Sequence, residues 1–231
     1  MSTGGSGTIF FCGCNLRCAF CQNQEISHGS TGREVSDEDL ARLMMGLQDA
    51  GCANINLVTP THVVPQILAA LALAMSWGLR LPIVYNSSGY DGLYALRLLD
   101  GVVDVYLPDF KFWSRFAADR YAGAPDYPAC AVTAITEMVR QVGGLSIDAG
   151  GNATRGVIVR HLVMPGGLDA SRHILAFLAG LSPRPAVNIM DQYRPLGRAA
   201  EFAEISRRPT AIEITESRKV ARELGLTLSG A

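Results

Sequence analysis

Cys14, Cys18 and Cys21 stand in a Cys-x3-Cys-x2-Cys run, Cys14-Asn-Leu-Arg-Cys18-Ala-Phe-Cys21, just after an apolar β-like stretch at Thr8–Phe11. Three thiolates this close can hold three corners of a cubane iron–sulfur cluster, whose protein ligands are normally cysteine sulfurs. A fourth iron would then lack a protein ligand, and a metal with an open position can bind a substrate or cofactor. Two other chemistries fit the same residues. With Cys12 the set becomes four thiolates, the makings of a closed, non-catalytic zinc or iron–sulfur site. Six cysteines in all also permit disulfides. A zinc knot usually takes two cysteine pairs separated by a longer loop, however, and Cys52 and Cys130 each stand alone.

The elements that must position these sulfurs alternate in type. Strands are predicted at Thr8–Phe11, Ile55–Val58, Leu81–Tyr85, Val102–Leu107, Val157–Val163 and Ala186–Met190. Helical patterns lie between them. Ser36 followed by Asp37-Glu38-Asp39 is a helix start, and Leu40, Leu43, Met44 and Leu47 recur at helical spacing as a buried stripe. Further helices are predicted at Val63–Gly78 and Leu93–Leu99, after Asp126-Tyr127-Pro128, at Ser171–Gly180, and over Ala199–Ile205 and Thr210–Leu224. Gly143–Gly156 is a loop or hairpin. Such alternation implies parallel strands with crossover helices, in an α/β fold. Six units predict a partial (β/α)6 TIM-like barrel in one domain spanning residues 1–231, with a flexible Gly/Ser-rich stretch at 1–7 and a helical extension at 206–231. A doubly wound open sheet is the competing architecture, but no Gly-x-Gly-x-x-Gly follows strand one.

Polar sets follow the strands, where a β/α barrel gathers its active site. They are Thr59-Pro60-Thr61-His62, Asn86-Ser87-Ser88-Gly89, Asp109-x-Lys111 and Asp191-Gln192-Tyr193-Arg194. Alternation along the fifth strand points Arg160 to one face and His161 to the other. The last polar set, with His62, is a candidate substrate-reading group, although Arg194 could instead simply pair with Asp191. Apolar residues make up 48% of the 231, enough for a sizeable core, and the formal net charge of −1 carries no footprint for nucleic acid or anionic membrane. No apolar run reaches the roughly 18 residues of a membrane span. Closely spaced reduced cysteines fit a reducing compartment, with the cytoplasm as the expected location.

Cys-x3-Cys-x-aromatic-Cys resembles the signature of radical S-adenosylmethionine (SAM) enzymes. The wider string from Gly5-Ser-Gly-Thr-Ile-Phe-Phe to Phe20-Cys-Gln-Asn23 is similar to a narrower branch, that of pyruvate formate-lyase activating enzyme. The resemblance implies a radical-SAM-type barrel in which Cys14, Cys18 and Cys21 hold a [4Fe-4S] cluster, with Cys12 a strand residue beside it. SAM is chelated by the open iron and reductively cleaved to methionine and a 5′-deoxyadenosyl radical, which abstracts hydrogen from a substrate. It further implies that Phe20 meets the adenine, and that Thr59, Asn86, Ser88, Asp109, Lys111, Arg160 and Asn188 form the rest of the SAM cradle. A Gly-Gly-Glu run common in the family is replaced here by Thr59-Pro60-Thr61-His62, leaving Thr59 and Thr61 as candidates for the methionyl amine. The implied partners are a one-electron donor such as flavodoxin or ferredoxin and, as a protein substrate, a glycyl radical enzyme. A peptide or small metabolite is the other substrate class the scaffold admits.

Overall fold

Short apolar strands and amphipathic helices alternate along the chain because each strand must bury both faces. The computed structural model describes residues 4–29 and 31–230. Its order is β1 (Gly7–Phe10), α1 (Gln24–His28), α2 (Asp37–Asp49), β2 (Ile55–Val58), α3 (Val64–Ser76), β3 (Ile83–Asn86), α4 (Leu93–Leu98) and β4 (Val105–Tyr106). Then come α5 (Arg115–Ala122), α6 (Tyr127–Val142), β5 (Ser146–Ile147), β6 (Ala153–Leu162), α7 (Leu168–Ala179), β7 (Ala186–Met190) and α8 (Ala211–Glu223). Six strands pair in parallel in the order β1-β2-β3-β4-β6-β7, while β5 adds an antiparallel hairpin to the start of β6. Strands β1 and β7 are not paired with each other, so the wall is a partial (β/α)6 barrel, as expected.

Strand alternation divides the core into an outer shell and an inner cavity. On β2, Ile55 and Leu57 face outward and are fully buried against Leu40, Met44, Ile67 and Leu71 of α2 and α3. Truncating Leu57 to Ala would cost about 2–5 kcal/mol. Asn56 and Val58, with the opposite parity, line the interior. On β6 the alternation holds as predicted: Arg160 and Leu162 face inward, and His161 is buried on the other side.

Several expectations are corrected. Leu43 is not part of the buried stripe of α2: it is 45% exposed, because Leu40, Ala41 and Met44 take the inward arc. The fourth strand shrinks to two residues, since the Asp104 carboxylate caps the Ile83 amide at 2.8 Å and Pro108 has no amide to extend the ladder. Ala199–Glu201 and Ala203–Ile205 are two separate 3-10 turns rather than a helix. Of the stretch expected to be flexible, residues 1–3 lie outside the described residues. Gly5 accepts a hydrogen bond from Ala53 (3.0 Å), Ser6 bonds Asn54 (2.7 Å), and Gly7 begins β1. The capping boxes at Ser36/Asp39 and Thr210/Glu213 satisfy the first amides of α2 and α8.

Candidate active site

The cysteine loop leaves β1 and is held from three sides. Gly13 has φ +90°, and a Cβ there would lie 3.3 Å from the His62 ring. His62 itself places Nε2 2.7 Å from the Cys12 carbonyl, so it braces the back of the loop and does not line the central cavity expected of a substrate-facing residue. The Arg17 and Ala19 amides donate to the Ala122 and Tyr121 carbonyls at the end of α5 (3.0 and 2.8 Å). From the other flank the Arg198 amide donates to the Ala19 carbonyl (2.7 Å), and Gln22 Nε2 donates to the Gln192 carbonyl (3.0 Å). The loop thus laces the β7 side of the barrel to the β1 side at the rim, although the two strands never pair.

Cys14, Cys18 and Cys21 all line one cavity of about 380 Å³ at the C-terminal ends of the strands. Cys12 does not. Its thiol turns to a separate recess beside Thr31 and Gly32, with Sγ 3.6 Å from the Thr31 carbonyl. All six cysteines are free thiols, which removes the disulfide alternative. Among the described residues no three His, Cys, Asp or Glu side chains converge as ligands of a single metal ion do. Sulfurs on one tetrahedral zinc lie ~3.8 Å apart. A cubane, which places each sulfur on a different iron, spreads its ligands more widely. With Cys12 turned into another recess, three cysteines rather than four share the cavity, which fits the three-cysteine reading. Burial pushes the Cys18 thiol up to about 12, against the lowering pull of Lys111, so a metal must displace a proton to bind there. The Leu16 amide lies 3.4 Å from Cys14 Sγ, a hydrogen bond of the kind that tunes cluster potential.

Opposite the sulfurs lies a charged group drawn from two strands. Asp109 Oδ1 accepts from Arg160 Nε at 2.7 Å, and Lys111 Nζ contacts Oδ2 at 2.5 Å. Burial alone would raise the Asp109 carboxyl, but the guanidinium and the ammonium outweigh it and hold it below the ordinary carboxylate range. One carboxylate and two cations leave a net positive charge facing the cavity. The Asp109–Arg160 bridge extends the β4–β6 ladder beyond the short β4.

The loops after β2 and β3 form the remaining wall. Thr59 has φ +60°, unusual for a β-branched residue, and its amide donates to the Asn86 carbonyl at 2.9 Å. Gly89 (φ +76°) passes so close to the β4 end that a Cβ would sit 2.1 Å from the Asp109 carbonyl. Ser88 bonds Asn15 of the cysteine loop at 3.5 Å, and Asn15 reaches the Tyr90 carbonyl at 2.7 Å.

Of the residues singled out in the sequence, Phe20, Thr59, Asn86, Ser88, Asp109, Lys111, Arg160 and Gln192 share the cavity wall with the three cysteines. Others do not. Asn188 is level with Arg160 in the ladder but is not on the cavity wall, and a Cβ on Gly230 would meet its Nδ2 at 2.6 Å. Thr61 turns away to bond Asp91. Tyr193 is a core residue, 1% exposed, with its hydroxyl on the Ile205 carbonyl and its ring 5.4 Å from Phe20. Asp191 pairs with Arg218 of α8 at 2.9 Å, not with Arg194, which is exposed. Phe20 is itself packed between Tyr193 and Phe112.

Sequence reasoning missed three residues here. Asn56 sits on the inward parity of β2, and its buried Oδ1 has no donor among the described residues, which suits a ligand that brings one. An amide in an otherwise apolar strand was the available signal. Tyr127, fully buried at the start of α6, receives the Lys111 amide (3.0 Å), and its hydroxyl reaches the Ser88 and Asp109 carbonyls (3.0 and 3.1 Å). Asp91 joins the loops after β2 and β3. Nothing in local pattern marks these last two, because their partners are distant in the chain.

A parallel half-barrel with a three-cysteine loop and an anion-seeking ion cluster at its C-terminal rim defines an iron–sulfur cofactor enzyme. The chain matches the radical SAM superfamily over residues 8–178 and belongs to it. The cofactors of that family are a [4Fe-4S] cluster and SAM. An uncharacterized protein of Methanocaldococcus jannaschii is 34% identical over 233 residues; the match covers 96% of this chain but 64% of that protein, so the chain spans less than two thirds of this relative. Among solved structures, a radical SAM methyltransferase from Sphaerobacter thermophilus superimposes with TM-score 0.64 at 17% identity, covering 96% of this chain and 65% of that one. A domain of pyruvate-formate lyase-activating enzyme from Bacteroides vulgatus gives TM-score 0.53 at 11% identity over 74% of this chain and 92% of that one. At these identities the two structures speak for the fold. No helix among the described residues is long and apolar enough to cross a membrane.

Proposed function

We propose that this chain cleaves SAM reductively in the central cavity and directs the resulting radical at a protein partner, installing a glycyl radical. The observation that carries the reading is the convergence of Cys14, Cys18 and Cys21 with Asp109, Lys111 and Arg160 on one cavity. Cys14, Cys18 and Cys21 would hold a [4Fe-4S] cluster, which when bound would supply the electron for reductive cleavage of SAM.

The chain's own residues bind, orient and shield. Arg160 and Lys111 already share the Asp109 carboxylate, and their remaining donors suit the SAM carboxylate, which would complete charge balance in a partly dry site. Thr59 and Asn86 border the same space and offer hydroxyl and amide groups to the methionyl amine and the ribose. Phe20, packed on Tyr193 and Phe112, borders the cavity and is the aromatic candidate for the adenine contact. No side chain need move a proton for the first hydrogen abstraction, so the wall works by fixing SAM and excluding water.

The glycyl radical step rests on the motif resemblance and on the likeness to an activating-enzyme domain. A reduced flavodoxin or ferredoxin suits the electron supply. The test is anaerobic reconstitution with iron and sulfide, followed by dithionite reduction with SAM. Absorbance near 400 nm and release of 5′-deoxyadenosine are expected (roughly the charge-transfer region of thiolate-ligated clusters). Incubation with glycyl radical enzymes should then yield an organic radical signal by electron paramagnetic resonance. A colourless protein binding one zinc would sink the whole reading; 5′-deoxyadenosine without any partner radical would sink the glycyl step alone.

A further inference from the structure

Asp91 belongs to no strand end and does not line the cavity, yet it is the most elaborately hydrogen-bonded carboxylate next to it. It is 2% exposed. Its carboxylate accepts three hydroxyls from three segments: Thr61 on Oδ1 at 2.7 Å, Tyr85 on Oδ1 at 2.9 Å, and Ser87 on Oδ2 at 2.6 Å. Among the described residues no cation is in ion-pair contact with it. Burying a carboxylate against hydroxyls alone is costly, and an apolar side chain would fill the space at less expense of free energy. The arrangement instead fixes geometry.

What it fixes are the two loops that wall the cavity. Thr61 lies two residues after Thr59, whose positive φ persists only where its surroundings hold it. Ser87 borders the cavity between Asn86 and Ser88, and while donating to Asp91 it accepts the Gly89 amide at 3.1 Å. Tyr85 ties the carboxylate to the outer face of β3, a rigid element between the two. One carboxylate therefore sets the separation of the Thr59 turn and the Ser87–Ser88 segment.

We propose that Asp91 is a positioning residue for SAM, preorganising the opposed loops after β2 and β3; this rests on the reading of the cavity as the SAM site. Ligand affinity then depends on Asp91 although it touches no ligand. In Asp91→Asn the carbonyl oxygen still serves Thr61 and Tyr85, but the amide nitrogen can only donate to the Ser87 hydroxyl, so the charge-assisted Ser87 arm is replaced by a weaker neutral contact of reversed direction. Thr61→Val cuts the other arm without changing the cavity wall.

The experiment is equilibrium binding of SAM to anaerobically reconstituted wild type, Asp91→Asn, Thr61→Val and the double variant, with cluster absorbance and Tm measured on each. Each single variant is expected to weaken SAM binding about tenfold with the cluster intact, and the double variant to lose less than the product of the two, because both act through one hub. Wild-type SAM affinity in the single variants overturns the proposal whatever happens to Tm, since lowered Tm alone is the mark of a purely structural carboxylate. Should Asp91→Asn fail to fold, Thr61→Val decides by the same criterion. If the wild-type holoprotein binds no SAM, the reading of the cavity falls, and the positioning role falls with it.

Discussion

Arg160 reaches across from β6 to set its guanidinium 2.7 Å from the Asp109 carboxylate, beyond the point where β4 itself has ended. Lys111 closes the other side of the same carboxylate. Removing the acid leaves two cations facing each other in a largely buried setting. Asp109→Asn should destabilise the protein by about 3–5 kcal/mol at neutral pH. The folded-state pKa of Asp109 is depressed, so its contribution is present above the ordinary carboxylate value and lost as pH falls through the folded value. Urea unfolding of both proteins at pH 7 and near pH 3 should show the gap narrowing at the lower pH; a constant gap would contradict the ion cluster.

Cys12 and Cys18 are six residues apart and sit on different surfaces. Cys18→Ala should abolish absorbance near 400 nm after reconstitution, together with SAM cleavage (the visible band being that of thiolate-bound iron–sulfur). Cys12→Ala should keep both. Loss of the cluster in the Cys12 variant would restore the four-thiolate alternative.

Gly89 cannot become alanine cheaply. Its φ of +76° alone costs an L-residue about 1–3 kcal/mol, and the new Cβ would overlap the Asp109 carbonyl at 2.1 Å. The loop must retreat, carrying Ser88 with it. Gly89→Ala is expected to lower Tm by several degrees and to weaken SAM binding more than tenfold (about 1.4 kcal/mol per factor of ten), read by thermal melts and SAM titration of the holoprotein.

His161 sits between β6 and α7, 2% exposed, with Nδ1 2.9 Å from the Phe110 carbonyl and Nε2 2.8 Å from the Ser171 hydroxyl. Burial lowers its pKa, opposed by the Phe110 bond. A depressed histidine favours the fold above its unfolded pKa and ceases to do so as pH drops through the folded value. Stability should therefore fall as pH goes from about 7 to 5, where unfolded histidine, with a pKa of about 6.5, takes up a proton. In His161→Gln that part of the slope should be flatter, measured by urea titration at each pH.

The parts of this molecule that were legible in its sequence are those set by short-range pattern. The cysteine spacing, the strand–helix alternation, the Ser36 cap and the opposite facing of Arg160 and His161 all depend on neighbours a few residues away. Polar groups at strand ends were equally visible, and for Thr59, Asn86, Asp109 and Lys111 the barrel topology brought them together. What could not be read was decided by contacts across long stretches of chain. Tyr193 looks like a member of a polar cluster, but Phe20 and the Ile205 carbonyl claim its ring and hydroxyl. Asp191 turned outward because α8, arriving 27 residues later, offers Arg218. Asn188 has inward parity like Met190 and is level with Arg160, yet it is not on the cavity wall and its amide approaches Gly230, some 40 residues later in the chain.

The lacing of Ala19 and Gln22 to Arg198 and Gln192 has a consequence for the order of assembly. The sulfur ligands precede in the chain the far clasp on their loop, which Gln192 and Arg198 make some 170 positions later. A nascent chain, folding from its beginning as it emerges, would carry loosely tethered thiols until the far side of the rim arrives. A chain cut before residue 192 would keep its cysteines and the contacts of their loop with His62 and the end of α5, but would lose the arms from Gln192 and Arg198.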